Sequence, residues 1–493
     1  MNHLYIACDL GAESGRVIAG HLTGGRLTIE EMHRFPTGAQ HIGDTLHWDM
    51  NTLWSEIKVG LSKAAQIQRV PGATASVSAD SWGVDYVLMH AGEPLSKLPY
   101  HYRDDRVDEP FKRIRESESA RLVFEETGLQ FLSFNTLYQL VAEEGASGAW
   151  QKADQFLLIA DYVLYLLSGV AQAEVSLAST TQMYNPRERV WSGQLQRGFG
   201  LKEELFPPLT ASGTILGPMT QDVAGETGLA HTQVVATCSH DTGAAVAAVP
   251  AGGDNWAYLS SGTWSLLGVE LPAPIINDQV RAAGFTNEVG VGHRIRFLKN
   301  IVGLWVLQEC QRAWASEGQQ FSYGELAQVA EDAEPFRSLI HPAAERFAAP
   351  GEMPQKIAAY CRETGQLPPQ TIGQYTRCIL ESLALLYHAT LEDAQTLTGK
   401  TVNRLHIVGG GGQNALLNQF AANATEKTVV VGPVEATAVG NLLIQAVALG
   451  HLQDWDALRR TVRDSFPTQT FTPQHTTLWR AAYARFTQLN LLT

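Results

Sequence analysis

The chain has 493 residues, of which 36 are basic and 50 acidic, so its formal net charge is −14. At roughly 150 residues per domain, this length predicts two or three domains. Hydrophobic residues make up 45% of the chain and charged residues 17%, a balance typical of globular proteins. The acidic excess disfavours broad contact with nucleic acid or an anionic membrane, so we expect small molecules as partners.

The sequence also lacks the patterns of exported and membrane proteins. The first residues show no basic start followed by a long apolar run, and the most apolar stretch, 156–170, is too short to span a bilayer and contains Asp161. The five cysteines have no CxxC spacing, which argues against a zinc site or a redox pair. We therefore expect a cytoplasmic protein, and nothing in the sequence predicts its oligomeric state.

The predicted elements begin with a β-meander whose turns contain glycine. Apolar residues then recur at helical spacing from about 110 to 167, and an alanine-rich helical stretch follows Asp241. The strands expected in this first half span 4–8, 16–22, 26–35, 74–79, 84–89 and 233–238.

The pattern restarts after the segment 250–253, which is rich in proline and glycine and is the best candidate for a domain boundary. Strands expected at 256–260 and 263–269 resemble the opening hairpin, which predicts a duplicated domain with a cleft between the copies. We therefore expect two mixed α/β domains, at 1–248 and at 249–493, the second ending in a helical tail.

The opening turn, from Asp9 to Arg16, has residues suited to holding phosphate. Its glycines let backbone N–H groups approach an oxyanion closely, and Ser14 and Arg16 add donors. A carboxylate at a strand end, such as that of Asp9, can also hold a hydrated Mg²⁺ through its waters. Glycine and aspartate are equally common turn formers, so this segment alone leaves both interpretations open.

Two later glycine turns raise the same question. The turn at 260–263 offers similar donors, and a second hairpin facing the first would close around a triphosphate. After an expected strand at 404–408, Gly410, Gly412 and Ala415 fit the G-x-G-x-x-A pattern of dinucleotide sites, so an NAD-linked oxidoreductase is an alternative. A P-loop is excluded, because Ala394 stands where Gly399-Lys400-Thr401 would require glycine.

The segment Ser239-His240-Asp241-Thr242 stands where a strand ends and a helix begins. Serine, aspartate and threonine are common N-cap residues, which is the simpler interpretation. Alternatively, Asp241 is a general base in phosphoryl transfer. The loose transition state asks only that a carboxylate orient a hydroxyl and accept its proton late, so an ordinary aspartate pKa suffices.

A tryptophan and a glycine follow another expected strand. The backbone of Gly83, flanked by Trp82, suits the close approach of a sugar, although tryptophan is more often a core residue. Alternation along the next strand favours a surface position for Asp85.

In order and spacing, these segments resemble the FGGY carbohydrate kinases. The resemblance runs from about residue 4 to about residue 470, nearly the whole chain. The matching segments are DLGAESGR (9–16), SWGVDYVL (81–88), FNTLYQL (134–140), SHDT (239–242), YLSSGTWSL (258–266), LKNIVGLWVLQ (298–308), LHIVGGGGQN (405–414) and GPVEAT (432–437).

The resemblance implies two actin/hexokinase-like (ribonuclease H-like) α/β domains with a catalytic cleft between them. It implies ATP in that cleft, a ketose on the N-terminal domain and Mg²⁺ as the metal cofactor. The implied reaction, in L-rhamnose catabolism, is ATP-dependent phosphorylation of L-rhamnulose at its 1-hydroxyl, giving L-rhamnulose 1-phosphate and ADP. A kinase for another ketose, such as L-fuculose or xylulose, and a regulatory protein on the same fold are further alternatives.

The resemblance also implies roles for individual residues. Asp241 would be the base on the primary hydroxyl, and Asp9 would lie near Mg²⁺. Glu13 is an acid where many sugar kinases of this family have Ser or Thr, and we expect its carboxylate to point away from phosphate. Sugar contacts would come from Gly83, Trp82 and His240. The nucleotide and its phosphates would meet Ala12, Glu13, Ser14, Gly15, Arg16, Thr263, Asn300, Gln308 and Gly411.

Overall fold

The computed structural model describes residues 3–67, 75–146 and 148–489. Its strands are, in chain order, β1 (Leu4–Leu10), β2 (Ser14–Thr23), β3 (Arg26–Pro36), β4 (Gln40–Ile42), β5 (Thr45–His47), β6 (Ala75–Ser81), β7 (Tyr86–His90), β8 (Glu93–Pro94), β9 (Gln155–Leu158), β10 (Ala173–Glu174), β11 (Tyr184–Asn185), β12 (Val190–Trp191), β13 (Leu209–Thr210), β14 (Thr214–Pro218), β15 (Thr232–Ala236), β16 (Trp256–Ser261), β17 (Trp264–Leu271), β18 (Thr286–Val289), β19 (Ile295–Val302), β20 (Arg404–Val408), β21 (Thr428–Val431) and β22 (Gln469–Phe471).

Helices connect these strands. They are α1 (Met50–Gln66), α2 (Asp108–Arg115), α3 (Ser119–Thr127), α4 (Thr136–Ala146), α5 (Gly148–Lys152), α6 (Ile159–Ser168), α7 (Val175–Ala178), α8 (Gly193–Gly198), α9 (Gln221–Thr227), α10 (Asp241–Ala247), α11 (Asp278–Ala283), α12 (Trp305–Ser316), α13 (Tyr323–Glu331), α14 (Met353–Glu363), α15 (Ile372–Thr398), α16 (Ala415–Thr425), α17 (Ala436–Ala448), α18 (Trp455–Ser465) and α19 (Thr476–Leu489). Within the described ranges, no helix combines the length and the apolar character needed to cross a membrane.

The chain divides into two compact units, each built from separate stretches of sequence. The first comprises Met1–Pro250, Glu270–Phe297 and Ala436–Phe466, and the second comprises Ala251–Val269, Leu298–Glu435 and Pro467–Thr493. The continuous domains expected at 1–248 and 249–493 stay a prediction.

The first unit is built on a six-stranded sheet with the order β14-β15-β6-β1-β2-β3. The meander expected from the sequence is confirmed, because β1, β2 and β3 pair as antiparallel neighbours. Strand β6 runs parallel to both β1 and β15, so the carboxyl ends of these three strands meet at one edge of the sheet. In this register Asp9 of β1 lies opposite Arg16 of β2 and opposite Asp80 of β6.

Helices cover both faces of this sheet, which explains why every residue of β1 is buried. Helix α1 lies against one face, where a Cβ on Gly60 would meet Val17 at 2.4 Å, and α17 lies against the other, where a Cβ on Gly20 would meet Leu442 at 2.8 Å. The Asp49 carboxylate caps α1 by accepting from two backbone N–H groups of its first turn.

The second unit is built on a sheet in which β19, β17, β16, β20, β21 and β22 are neighbours in this order. Strands β16 and β17 form the antiparallel hairpin that the sequence predicts at 256–269, and β20 pairs in parallel with β16 and with β21. Helix α15 runs for 27 residues and ends before Gly399, whose φ is 67°. Gly399-Lys400-Thr401 therefore follows a helix, whereas a P-loop follows a strand.

Candidate active site

Three acidic residues of the first unit lie near the edge where its parallel strands end. Asp9 and Asp80 occupy neighbouring positions near the ends of β1 and β6. The loop after β15 continues beside β6, because the Ser81 backbone N–H donates to the Ser239 carbonyl at 2.9 Å and Ser81 forms a parallel bridge with His240. Asp241 follows directly, so the strand pairing assembles the acidic cluster.

Asp80 is fully buried and has an incomplete set of hydrogen bonds. Its Oδ2 accepts from Asn441 Nδ2 of α17 at 2.6 Å, whereas Oδ1 has no hydrogen-bond partner among the described residues. Burial raises the pKa of Asp80 well above its usual value, and the negative charges of Asp9 and Asp241 raise it further. Asp9 itself forms an ion pair with Arg16. The sequence gives no sign of a role for Asp80, because its proximity to Asp9 depends on the pairing of β1 with β6.

The Asp241 carboxylate is oriented by its neighbours at the start of α10. Its Oδ1 accepts from the Thr242 backbone N–H at 2.5 Å and from Thr242 Oγ1 at 3.1 Å, and lies 3.5 Å from His240 Nε2. The N-cap residue is His240, and no side chain makes a capping hydrogen bond there. The simple capping interpretation is therefore not realised. The Asp241 side chain stays 31% exposed, so it is accessible to a substrate.

Buried polar groups hold His240 in place. Its backbone N–H donates to Ser176 Oγ at 3.0 Å, and the preceding Ser239 N–H donates to Glu174 Oε2 at 3.0 Å. Its ring Nδ1 lies 2.9 Å from Arg296 Nη2 and 3.4 Å from Glu288 Oε2. The loop that carries Asp241 is thus fixed both through its backbone and through a neighbouring side chain.

Trp82 belongs to a buried aromatic layer. Its ring stacks on Trp48 at a centroid distance of 4.0 Å, and its indole N–H donates to Asp85 Oδ2 at 3.0 Å. The same carboxylate accepts from Trp48 Nε1 at 2.7 Å, from the Tyr102 backbone N–H at 3.1 Å and from Gln139 Nε2 at 2.8 Å. The expected surface position of Asp85 is wrong, since the residue is 0% exposed and organises this layer. Burial raises its pKa to about 6.

Gly83 lies in a tight, strained turn beside Trp82. The Asp85 N–H donates to the Gly83 carbonyl at 3.0 Å, so Val84 is the centre of a three-residue turn with a φ of 72°. Such a φ is rare for a β-branched residue and is found mostly where the surroundings enforce it. A Cβ on Gly83 would lie 2.8 Å from Thr180 Oγ1, so the close approach here requires glycine.

Two hydrogen bonds fix the turn between β1 and β2, one within the turn and one from Thr37 after β3. The Gly11 N–H donates to the Ser14 carbonyl at 3.1 Å, and Thr37 Oγ1 donates to the Gly11 carbonyl at 2.5 Å. A Cβ on Gly15 would lie 2.4 Å from the ring of Phe35, whereas Ala12 and Ser14 are half-buried. The side chain of Glu13 is exposed, in keeping with an outward orientation.

A second group of predicted residues lies in the second unit. The turn at Gly262 and Thr263 accepts backbone hydrogen bonds from Leu304 at 2.9 Å and from Gly303 at 3.1 Å. A Cβ on Gly411 would lie 2.2 Å from Ser261 Oγ, so the glycine run packs directly against this turn.

The other two predicted residues flank the Gly303 segment. Asn300 lies on β19, three residues before Gly303, and Gln308 lies on α12, where its Nε2 donates to Tyr323 Oη at 3.2 Å. The structure thus collects the predicted sugar, base and metal residues and the turn from Ala12 to Arg16 in the first unit. The other predicted nucleotide residues lie in the second.

Comparisons with known proteins agree with this arrangement. The sequence matches the N-terminal domain of the FGGY family of carbohydrate kinases over residues 4–248 and its C-terminal domain over residues 257–449. It is 43% identical over 491 residues to a rhamnulokinase of Bacteroides thetaiotaomicron, covering 99% of each chain. It is 41% identical over 470 residues to a rhamnulokinase of Enterococcus faecalis, covering 95% of this chain and 94% of the relative.

Solved structures show the same fold at low sequence identity. A ligand-bound xylulose kinase from Lactobacillus acidophilus matches with a TM-score of 0.83 at 14% identity, and glycerol kinase from Plasmodium falciparum with ADP matches with a TM-score of 0.81 at 12% identity. Each match covers 99% of this chain and 98% of the other. The predicted two-domain actin/hexokinase-like fold is therefore confirmed, and the chain belongs to the FGGY family of carbohydrate kinases.

Proposed function

We propose that this carbohydrate kinase transfers the γ-phosphoryl group of ATP to the 1-hydroxyl of L-rhamnulose, giving L-rhamnulose 1-phosphate and ADP. The main support is the oriented, accessible carboxylate of Asp241. The chain is also 36–43% identical to several rhamnulokinases over nearly its whole length. The structural neighbours named for xylulose and glycerol are 12–14% identical, so they support the fold and not a substrate.

Asp241 would act on the sugar hydroxyl. Its Oδ1 is held by Thr242, so the carboxylate has one orientation before the substrate arrives. In the loose transition state of phosphoryl transfer, the attacking oxygen keeps its proton until bond formation is advanced. Asp241 would therefore orient the oxygen lone pair towards phosphorus and accept the proton late.

The sugar would be held beside Asp241 by His240, Gly83 and Trp82. The Trp82 backbone N–H donates to the carbonyl of Leu10 at 3.3 Å, so this aromatic layer is tied to the strand that carries Asp9. A rigid aromatic wall and the backbone of a glycine suit a small polyol, which needs shape complementarity and a few polar contacts.

The residues proposed to contact ATP form two groups. In the first unit, backbone N–H groups between Ala12 and Arg16 would face phosphate oxygens, and the guanidinium of Arg16 would add positive charge. In the second unit, Thr263, Asn300, Gln308 and Gly411 would line the nucleotide site. An NAD-linked function is not favoured, because the family and the curated relatives are kinases.

The residues present also fit a hydrated Mg²⁺ ion. Asp9 and Asp80 lie side by side, and the buried Oδ1 of Asp80 has no protein partner among the described residues. The described residues contain no group of three or more His, Cys, Asp or Glu suited to a metal. Mg²⁺ usually keeps several waters and takes one or two carboxylates, so Asp9, with Asp80 beside it, would hold the ion through such a shell. When bound, Mg²⁺ supplies neutralisation of phosphate charge.

The test is ADP release with a panel of ketoses, with and without Mg²⁺. We expect the highest kcat/KM with L-rhamnulose, loss of activity after chelation, and a product whose phosphate is on carbon 1 by ³¹P-coupled NMR. Equal or better turnover of L-fuculose or D-xylulose would replace the proposed substrate. Binding of NADH without binding of ATP would exclude a kinase.

We also propose a cytoplasmic location, since all five cysteines are buried as thiols, as is usual in a reducing compartment. Cell fractionation tests this directly.

A further inference from the structure

A buried ion pair contacts His240, the proposed sugar-binding histidine. Arg296, at the start of β19, is 0% exposed, and its Nη2 lies 3.0 Å from Glu288 Oε2 on β18. The first unit extends to Phe297, within β19, so it includes Arg296 and Glu288 as well as His240. A turn closed by the Gly290 N–H and the Arg294 carbonyl at 2.8 Å joins the two strands. The sequence did not single out either residue, because nothing in the local pattern indicates that they contact His240.

The pair determines which nitrogen of the His240 ring carries the proton. Arg296 Nη2 lies 2.9 Å from Nδ1, and a guanidinium can only donate hydrogen bonds. Nδ1 must therefore present its lone pair. Glu288 Oε2 is farther from Nδ1, at 3.4 Å, and would need a proton on that nitrogen. The shorter contact requires the neutral ring to carry its proton on Nε2, the nitrogen that lies 3.5 Å from Asp241 Oδ1.

Glu288 keeps Arg296 in this position. A buried guanidinium without a counter-charge is strongly unfavourable, so the carboxylate compensates for its burial. The charge of Arg296 in turn lowers the pKa of Glu288 despite its burial. Arg296 Nε also donates to the Val289 carbonyl at 3.3 Å, and the Val289 N–H donates to Ser179 Oγ at 2.8 Å. The guanidinium is therefore fixed from two sides.

We propose that Arg296, held by Glu288, is a positioning residue that fixes His240 as the Nε2–H tautomer, so that the ring donates a hydrogen bond to an oxygen of the ketose. This inference rests on the proposed function for the identity of the acceptor, but the tautomer itself is a property of the protein alone. The chemical consequence is specificity, since a donor at this point favours a substrate with a hydroxyl or carbonyl oxygen there. A substrate analogue with hydrogen in place of that oxygen would leave the Nε2–H without a partner.

The first measurement is the ¹⁵N NMR spectrum of protein labelled at histidine, in which protonated and unprotonated ring nitrogens have well-separated shifts. The His240 signals are assigned by their loss in His240→Gln. We expect an unprotonated Nδ1 and a protonated Nε2 at neutral pH in the absence of ligands. A proton on Nδ1 would overturn the inference whatever reaction the enzyme catalyses.

The second measurement is kinetic. The double variant Arg296→Met, Glu288→Leu removes the pair without leaving a buried charge. We expect mixed tautomers of His240 and an increase on the order of tenfold in KM for the ketose, with KM for ATP unchanged. Arg296→Lys keeps a donor and a charge, and should restore most of the ketose KM.

The matched control is a second, partly buried ion pair of the first unit, Arg459 with Glu270, whose Nη2 and Oε2 are 2.8 Å apart. The double variant Arg459→Met, Glu270→Leu should leave the His240 spectrum and both KM values unchanged. Normal KM and normal tautomer in the Arg296 double variant would overturn the inference. Absence of ketose kinase activity in the wild type would instead refute the proposed function, and the spectrum of the wild type would still decide the tautomer.

Discussion

Helix α10, which begins with Asp241, packs closely against α17 at Gly440. A Cβ at Gly440 would lie 1.9 Å from the carbonyl oxygen of Ala244 in α10, whereas carbon and oxygen atoms in contact are about 3.3–3.6 Å apart. Gly440→Ala therefore forces the two helices apart by roughly 1.5 Å, or bends one of them. Because Ala244 is one turn after Asp241, this displacement reaches the carboxylate.

This substitution has two opposing effects on the free energy of unfolding. Alanine in a helix is favoured over glycine by about 1 kcal/mol, whereas overpacking costs about 1–3 kcal/mol. We expect the free energy of unfolding to fall by a net amount of about 0–2 kcal/mol. In activity the effects do not cancel, because a displacement of about 1 Å in a catalytic group can cost about 100-fold. We therefore expect kcat to fall by about two orders of magnitude.

The assay is coupled ADP release with the preferred ketose, together with urea unfolding monitored by tryptophan fluorescence. The matched control is Gly225→Ala in α9, where an added Cβ meets no atom within 4 Å. That variant should keep its kcat and gain up to about 1 kcal/mol of stability. If Gly440→Ala keeps wild-type kcat, contact between α10 and α17 does not position Asp241.

Three further predictions concern single sites. Asp241→Asn should retain the circular dichroism spectrum and ATP affinity of the wild type but lose about 100-fold or more in kcat, and comparable turnover would remove Asp241 from its role. Burial raises the pKa of Asp85 from 3.8 to about 6, so the folded state binds the carboxyl proton more tightly than the unfolded chain does. Loss of this proton as the pH rises from about 4 to 6 therefore lowers the free energy of unfolding by about 3 kcal/mol. Urea titrations across this range should show that slope in the wild type and not in Asp85→Asn, and identical slopes would contradict the assignment. Gly411→Ala should raise KM for ATP on the order of tenfold, because its Cβ meets Ser261 at 2.2 Å, whereas Gly252→Ala, in open space in the same unit, should not.

Local patterns were sufficient to predict the elements that follow simple periodicity. The meander of β1 to β3 was predicted because apolar runs alternate with glycine turns, and β20 was predicted with its observed bounds. The prediction of Asp85 failed because alternation assumes a sheet with one solvated face. Its carboxylate instead accepts hydrogen bonds from nearby Trp82 and from residues of three distant segments, Trp48, Tyr102 and Gln139.

The missing parts of the candidate site all depend on contacts between distant segments. Asp80 directly precedes the SWGVDYVL segment, but only the parallel register of β1 and β6 places it beside Asp9. Arg296 and Glu288 lie outside every recognised motif, and their contact with His240 joins residues separated by about fifty positions in the chain. A single sequence carries no signal for such pairs.

The discontinuous first unit has a consequence for synthesis on the ribosome. Strand β1 is made long before α17, yet α17 covers it, with Gln445 Nε2 donating to the Ile6 carbonyl at 2.9 Å. At about 5–20 residues per second, some 430 residues separate the two by roughly 20 to 90 s. During that interval one face of the nascent sheet has no native cover. The cell must protect it, and chaperone demand should be greatest before residue 436 emerges.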